Sequence, residues 1–309
     1  MKAVLLGAQR FEPTLGRAVA DLGVEGPIAT VTAGWQERED EDEELDAHLG
    51  GRTINLRLHR RAEDVFARHA WLREAHRARQ ERLRLCQDFY RIRLDHALEA
   101  ARVIDRRAAP PELLEEERES SIATVRAIDE HHLRLCRQVH EEFEHRHGER
   151  VREATAAHRA ELEALVRDCG AVAIAGGHVA SLLNRLRLFD VASLLGERPL
   201  FAWSGGAMVV TDRVVLFHDS PPHGSAAPQI LDAGLGLVRG VVVLPAPEMR
   251  LRLDDAERMS LYARRFAPAV CLVLPRCSRI TWDDGLWLDA RGILRLRTSG
   301  RAVPLGPPA

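Results

Sequence analysis

Ser204 is the side chain of this sequence best set to act as a nucleophile. An apolar lead-in, Pro199-Leu200-Phe201-Ala202-Trp203, delivers it into the small pair Gly205-Gly206, and a further apolar segment runs on to His218 and Asp219. A strand that turns tightly into a helix through small residues pushes a serine hydroxyl into a cleft. An ordinary glycine turn has the same composition. Chemistry at Ser204 requires a base to accept its proton, and His178, His218 and His223 are the candidates. Asp219 is the carboxylate that would orient such a base. On a strand, however, neighbours face opposite sides, so His218 and Asp219 would not meet each other.

Two further turns carry residue types suited to the same chemistry. Ile174-Ala175-Gly176-Gly177-His178 is an apolar run closed by glycines, which let backbone N–H groups approach a developing anion. The N–H groups of Gly177 and Gly205 are the candidate oxyanion donors. Earlier, the run Ile28–Thr32 ends in Ala33-Gly34-Trp35-Gln36-Glu37-Arg38-Glu39. Loops after parallel strands are where α/β proteins bind ligands, so Trp35 and Gln36, with Trp203 beside the serine, are candidate substrate contacts.

A different chemistry is suggested between residues 130 and 160. His132, Cys136, His140 and Glu144 stand at successive i, i+4 positions, the spacing that lines one helix face with metal-ligand types. The competing account is a polar helix face rich in histidine, with Cys136 packed as a small apolar residue. The second account is preferred, and neither a metal nor another cofactor is expected.

The elements that must position these residues follow from periodicity. Ala3–Leu6 is a strand closed by Gly7, Pro13–Leu22 has helical spacing with Gly23 as its stop, and Arg52–His59 alternates as a third strand. From Arg61 the composition changes to Arg, Glu, Ala, Leu and His, with no glycine until Gly148. One apolar stripe runs through Leu72, Leu83, Tyr90, Leu94 and Ile104 and a second through Ile122, Val125, Leu135, Val139 and Leu162. Ala108-Ala109-Pro110-Pro111 divides them, since proline can open a helix but not continue one. Arg61–Asp168 is therefore expected to be an antiparallel helical hairpin, with a possible interruption at His147-Gly148. After Cys169-Gly170 the α/β pattern resumes, and Ile280–Leu305 alternates around Asp284-Gly285 and Arg291-Gly292 as small antiparallel hairpins. The fold class expected is α/β, a doubly wound, mostly parallel sheet built from 1–60 and 169–309 with the hairpin 61–168 inserted between them.

The totals limit the function classes. The 309 residues are 46% apolar with a formal charge of −2, which excludes a global basic footprint for nucleic acid. Lys2 is the only lysine, and the many arginines of the hairpin are interleaved with Glu and Asp. That pattern suits a solvated, salt-bridged face or a surface for a second copy or another protein. Five cysteines, widely spaced and without CxxC, suit a reducing compartment. The sequence opens directly on a strand pattern, and no apolar run approaches the roughly 18 residues of a membrane span. A cytoplasmic protein without membrane contact is expected.

With these pieces in order, the chain resembles the serine peptidase family of cyanophycinase and peptidase E (aspartyl dipeptidase), a branch of the class I glutamine amidotransferase-like fold. Three motifs carry the resemblance: Ile174-Ala175-Gly176-Gly177-His178, Ala202-Trp203-Ser204-Gly205-Gly206-Ala207, and Gly234-Leu235-Gly236-Leu237 with Gly240-Val241-Val242-Val243. It covers both flanks, approximately 1–59 and 170–304, and leaves out the helical segment. It implies a serine hydrolase of peptide or related amide bonds, with Ser204 as nucleophile and Asp219, fifteen residues on, at the acidic position of peptidase E. The departures are specific. His178 stands where asparagine is frequent, and the expected catalytic histidine is replaced by Pro245-Ala246-Pro247. Two functions are therefore carried forward: a hydrolase with a relocated base, and a catalytically degenerate member that binds or scaffolds through its helices.

Overall fold

The computed structural model describes residues 1–218 and 226–306. Five parallel strands form its centre. β1 (Lys2–Leu6) leads to α1 (Leu15–Asp21), and β2 (Ile28–Val31) to a 3-10 turn at Ala33–Arg38, α2 (Glu43–His48) and β3 (Thr53–Asn55). Three helices follow, α3 (Leu58–Arg68), α4 (Ala70–Asp105) and α5 (Pro111–Arg167). The chain then re-enters the sheet at β4 (Ala171–Ile174), continues through α6 (Val179–Leu188) and α7 (Val191–Leu194), and adds β5 (Leu200–Trp203).

Beyond β5 come α8 (Gly205–Val209), the antiparallel ribbon of β6 (Arg213–His218) and β7 (Ala226–Ala233), and β8 (Val241–Pro245) with α9 (Pro247–Arg250). The rest is α10 (Ala256–Phe266), β9 (Val270–Leu274), β10 (Arg279–Asp283), β11 (Leu286–Arg291), β12 (Leu294–Leu296) and β13 (Ala302–Pro304). The main sheet runs β11-β10-β1-β5-β4-β2-β3, parallel from β1 to β3 and antiparallel at β10 and β11. A second sheet, β13-β12-β9-β8, pairs β8 with β9 in parallel.

The period-2 alternation of the central strands explains why helices cover both faces. Val4, Leu6, Ala171, Ala173, Phe201 and Trp203 enter one apolar cluster with Leu15, Ala18 and Val19 of α1. Their neighbours Ala3, Leu5, Val172, Ile174, Leu200 and Ala202 enter the other, with Leu58, Ala62 and Val65 of α3 and Leu182, Leu183 and Leu186 of α6. The sheet is thus mixed, mostly parallel and wrapped on both sides.

Between β3 and β4, the long helices α4 and α5 pack against each other. Their direction follows from the pairs they share: Trp71 with His147, Arg82 with Glu142, Tyr90 with Asp129, and Arg118 with Asp105. Rising numbers on one helix meet falling numbers on the other, so the pair is antiparallel. At about 1.5 Å per residue, α5 extends about 86 Å. It runs through His147-Gly148 without interruption. A glycine costs a helix interior only about 1 kcal/mol, and burial of Val151 and Leu162 beyond it outweighs that.

Other departures from the sequence pattern have local causes. The third strand ends at Asn55, because Arg57 takes a left-handed φ of 50° and Leu58 already opens α3. The turn Asp284-Gly285 does join the hairpin β10–β11. At Gly292, in contrast, the chain crosses from one sheet to the other, and β12 pairs with β9 and β13. Among the described residues no helix is long and apolar enough to cross a membrane.

Candidate active site

Ser204 sits where β5 stops and α8 begins, with φ 51° and ψ −125°. An L residue in that region costs about 1–3 kcal/mol and persists only where its surroundings fix it. Here they do: β5 is held between β1 and β4, all four of its residues are buried, and so is every residue of α8. The serine itself is half-buried. Among the described residues no side chain or backbone group hydrogen-bonds to its hydroxyl.

The cleft around it is made by backbone. A Cβ placed on Gly176, just past β4, would lie 2.6 Å from Ser204 Cβ and 3.0 Å from the Gly205 nitrogen. Gly177, at φ 109°, lies as close to the loop after β2, since a Cβ there would be 2.3 Å from the Gly34 oxygen. The three turns that follow β2, β4 and β5, neighbours in the sheet, therefore meet at the carboxyl ends of parallel strands, the crevice in which α/β sheets bind ligands. Neither the Gly177 N–H nor the Gly205 N–H has a hydrogen-bond acceptor among the described residues. Two N–H groups without an acceptor among the described residues, beside a half-buried hydroxyl, are what an oxyanion site would require.

His178 is brought to the same crevice but is not hydrogen-bonded to Ser204. Its N–H donates to the Gly34 oxygen at 2.7 Å, and its ring caps α6: Nδ1 accepts from the Ser181 N–H at 3.2 Å and lies 2.9 Å from Ser181 Oγ. Gln36 Nε2 donates to Ser181 Oγ at 2.9 Å, so its side chain serves a protein contact. The far end of α6 is tied as firmly. Arg187 donates to Asp232 at 2.7 Å and to the Ala233 oxygen at 2.6 Å, and His140 Nε2 lies 2.8 Å from the same carboxylate. Burial alone would raise the Asp232 carboxyl, but His140 and Arg187 hold it below its ordinary value.

The remaining candidates are dispersed. Trp203 is 6% exposed and Trp35 partly buried, both packed into the apolar cluster on the α1 side of the sheet. His218 ends β6 opposite Ala226, on the ribbon that leans against α4 and α5, and no hydrogen bond joins it to Ser204. Asp219 and His223 lie outside the described residues. Ala246, at the position where the family resemblance expects a histidine, takes a left-handed φ of 53° between β8 and α9, in the second sheet.

The histidine row of α5 serves separate neighbours. His132 stacks on Tyr90 with ring centroids 4.2 Å apart, and Cys136 lies against His132 with its thiol pKa raised by burial. His140 faces Asp232, and Glu144 pairs with Arg152 at the surface. Among the described residues no three His, Cys, Asp or Glu side chains gather as a metal group.

Two residues that matter here carried no sequence signal of their own. Ser181 donates its N–H to the ring of His178, a histidine cap outside the usual set of Ser, Thr, Asp and Asn. Glu39 is buried and accepts from the His59 and Arg60 N–H groups, both at 2.9 Å, capping α3 from the loop that carries Gln36. Burial raises its carboxyl pKa in spite of those bonds.

No protein-family model matches the chain, and no curated protein matches it. Among solved structures, the crystal structure of a peptidase from an acI-B1 Actinobacterium is similar over 98% of this chain and 96% of that one, at 13% identity and a TM-score of 0.48.

Proposed function

We propose that the chain is a serine hydrolase of a peptide or related amide bond, with Ser204 as nucleophile and the Gly177 and Gly205 N–H groups receiving the acyl oxygen. The observation that carries this reading is the backbone of Ser204. A strained serine between a buried strand and a buried helix holds a half-buried hydroxyl near two N–H groups that have no acceptor among the described residues, at a cost that an ordinary turn would avoid by placing glycine there. The resemblance to the cyanophycinase and peptidase E group, with α4 and α5 as an insertion in a class I glutamine amidotransferase-like sheet, belongs to the same proposal. His178 Nδ1 is engaged by Ser181, so the base is sought at His218 or His223, with Asp219 as its acidic partner.

One observation favours a second reading. Among the described residues Ser204 Oγ has no acceptor for its proton, and without a base hydrolysis is severely impaired. In that case the fold is retained for binding, with α4 and α5 as the surface for a second copy or another protein. A fluorophosphonate probe separates the two. The hydrolase labels in the wild type and not in Ser204→Ala, and it loses labelling when the histidine that serves as base is replaced. A folded wild type that stays unlabelled leaves the binding module.

A further inference from the structure

The hydrogen bonds around His178 fix which of its ring nitrogens carries the proton. A backbone N–H can only donate, so the Ser181 N–H at 3.2 Å requires His178 Nδ1 to be an acceptor. The Ser181 hydroxyl accepts from Gln36 Nε2 at 2.9 Å and keeps its own single proton for His178 Nδ1, also at 2.9 Å. The chain of bonds has one direction, from the Gln36 amide through the Ser181 hydroxyl into the ring. A neutral imidazole whose Nδ1 accepts carries its proton on Nε2.

We infer that Gln36 and Ser181 are positioning residues that hold His178 as its Nε2–H tautomer, so that His178 offers the Ser204 cleft a fixed hydrogen-bond donor for the acyl oxygen of a substrate and is not the base. The role given to the donor rests on the proposed function of Ser204; the tautomer does not. The loop after β2 grips His178 twice. The Gly34 oxygen takes its backbone N–H at 2.7 Å, and two residues on Gln36 supports its ring through Ser181. Gln36 reaches that position with a left-handed backbone, φ 58° and ψ −122°, which an L residue adopts only when neighbours enforce it. Because α6 is also anchored at its other end by Arg187 on Asp232, the ring is presented from a rigid helix.

Two measurements test this, and the first needs no turnover. In protein labelled with 15N-histidine, long-range proton–nitrogen correlation at neutral pH reports the tautomer of each ring, with His178 assigned by its loss in His178→Gln. The expected wild-type ring is protonated at Nε2, and Ser181→Ala and Gln36→Ala shift it towards a mixture. A wild-type ring protonated at Nδ1 overturns the inference, as does a tautomer unchanged in both variants. A change in Ser181→Ala alone overturns the part assigned to Gln36.

The second measurement is the rate of fluorophosphonate labelling. The glutamine amide retains an N–H donor near the Nε2 position but is no base. His178→Gln is therefore expected to label within about threefold of wild type, while His178→Ala falls by roughly 100–1,000-fold, the range for an oxyanion donor. Equal and large losses in both variants would mean that His178 is the base, which overturns the inference. If wild type and every variant fail to label, the hydrolase reading falls and the tautomer measurement decides the relay by itself.

Discussion

Gln36 and Ser204 share one backbone conformation, φ 58°, ψ −122° and φ 51°, ψ −125°, on turns that leave two parallel strands separated in the sheet only by β4. Both are L residues in a region suited to glycine; Ser204 lies against Gly176, and Gln36 donates to Ser181 of the helix that follows Gly177. Strain of this kind concentrates at functional sites, where the rest of the fold holds it in place.

Relief of that strain is measurable. Replacing Ser204 by glycine removes a penalty of about 1–3 kcal/mol and adds chain entropy to the unfolded state worth about 0.4–1 kcal/mol. Ser204→Gly is therefore expected to be more stable than Ser204→Ala by about 1 kcal/mol, read from urea midpoints. Gln36→Gly should gain less, because it also gives up the bond to Ser181. Equal stability of Ser204→Gly and Ser204→Ala would mean that the turn relaxes and stores nothing.

A second prediction concerns how the long helices are fastened to the sheet domain. The Arg265 side chain of α10 is 0% exposed and Asp129 of α5 is 4% exposed, with Nε–Oδ2 and NH2–Oδ1 contacts of 2.7 Å. Tyr90 of α4 completes the cluster: its hydroxyl donates to Asp129 at 2.8 Å and accepts from Arg265 and from the Ile230 N–H. Burial opposes the Arg265 charge, but Asp129 outweighs it and the guanidinium pKa rises. Removing one partner leaves the other charge buried. Asp129→Ala is expected to cost about 3–5 kcal/mol and Tyr90→Phe about 1–3 kcal/mol, with faster amide exchange in α10 and β7. A loss below 1 kcal/mol in Asp129→Ala would show that water enters the cluster.

The elbow was legible in the sequence because its signal is local: an apolar run, a serine and two small residues within one turn. So was the helical pair, whose composition and Pro110-Pro111 break need no tertiary information. The partners of His178 were only half legible. Ser181 lies one helical turn away, but Gln36 lies 145 residues from Ser181 and is joined to it only by the sheet order. The i, i+4 row of His132, Cys136 and His140 does share a helix side, yet Tyr90 and Asp232, from other elements, determine what each member does. Likewise, β8 and β9 were recognisable as buried apolar runs, while their membership of a second sheet depends on long-range pairing that no local period encodes.

The last prediction is a pH dependence located at His76 on α4. Its ring packs 5.1 Å from Phe66, and its Nε2 is buried without a hydrogen-bond partner among the described residues. Burial first, then the charges of Arg79, Arg185 and His140, lower its pKa from 6.5 to about 3. The unfolded chain therefore binds a proton that the native ring refuses. The stabilising contribution of the neutral ring is complete above pH 6.5 and is lost as pH falls towards 3, by on the order of 1 kcal/mol per pH unit. Other groups bend the curve differently. Asp232, with its lowered pKa, withdraws stability only below 3.8, and Glu39, with its raised pKa, contributes stability below 4.5 that is lost as pH rises through its folded value. Both are common to wild type and His76→Leu and cancel in their difference. Urea unfolding of the pair should give similar stabilities at pH 7.5 and a growing advantage for His76→Leu from pH 6 down to 5, whereas parallel pH profiles would show that His76 is hydrated and titrates near its ordinary value.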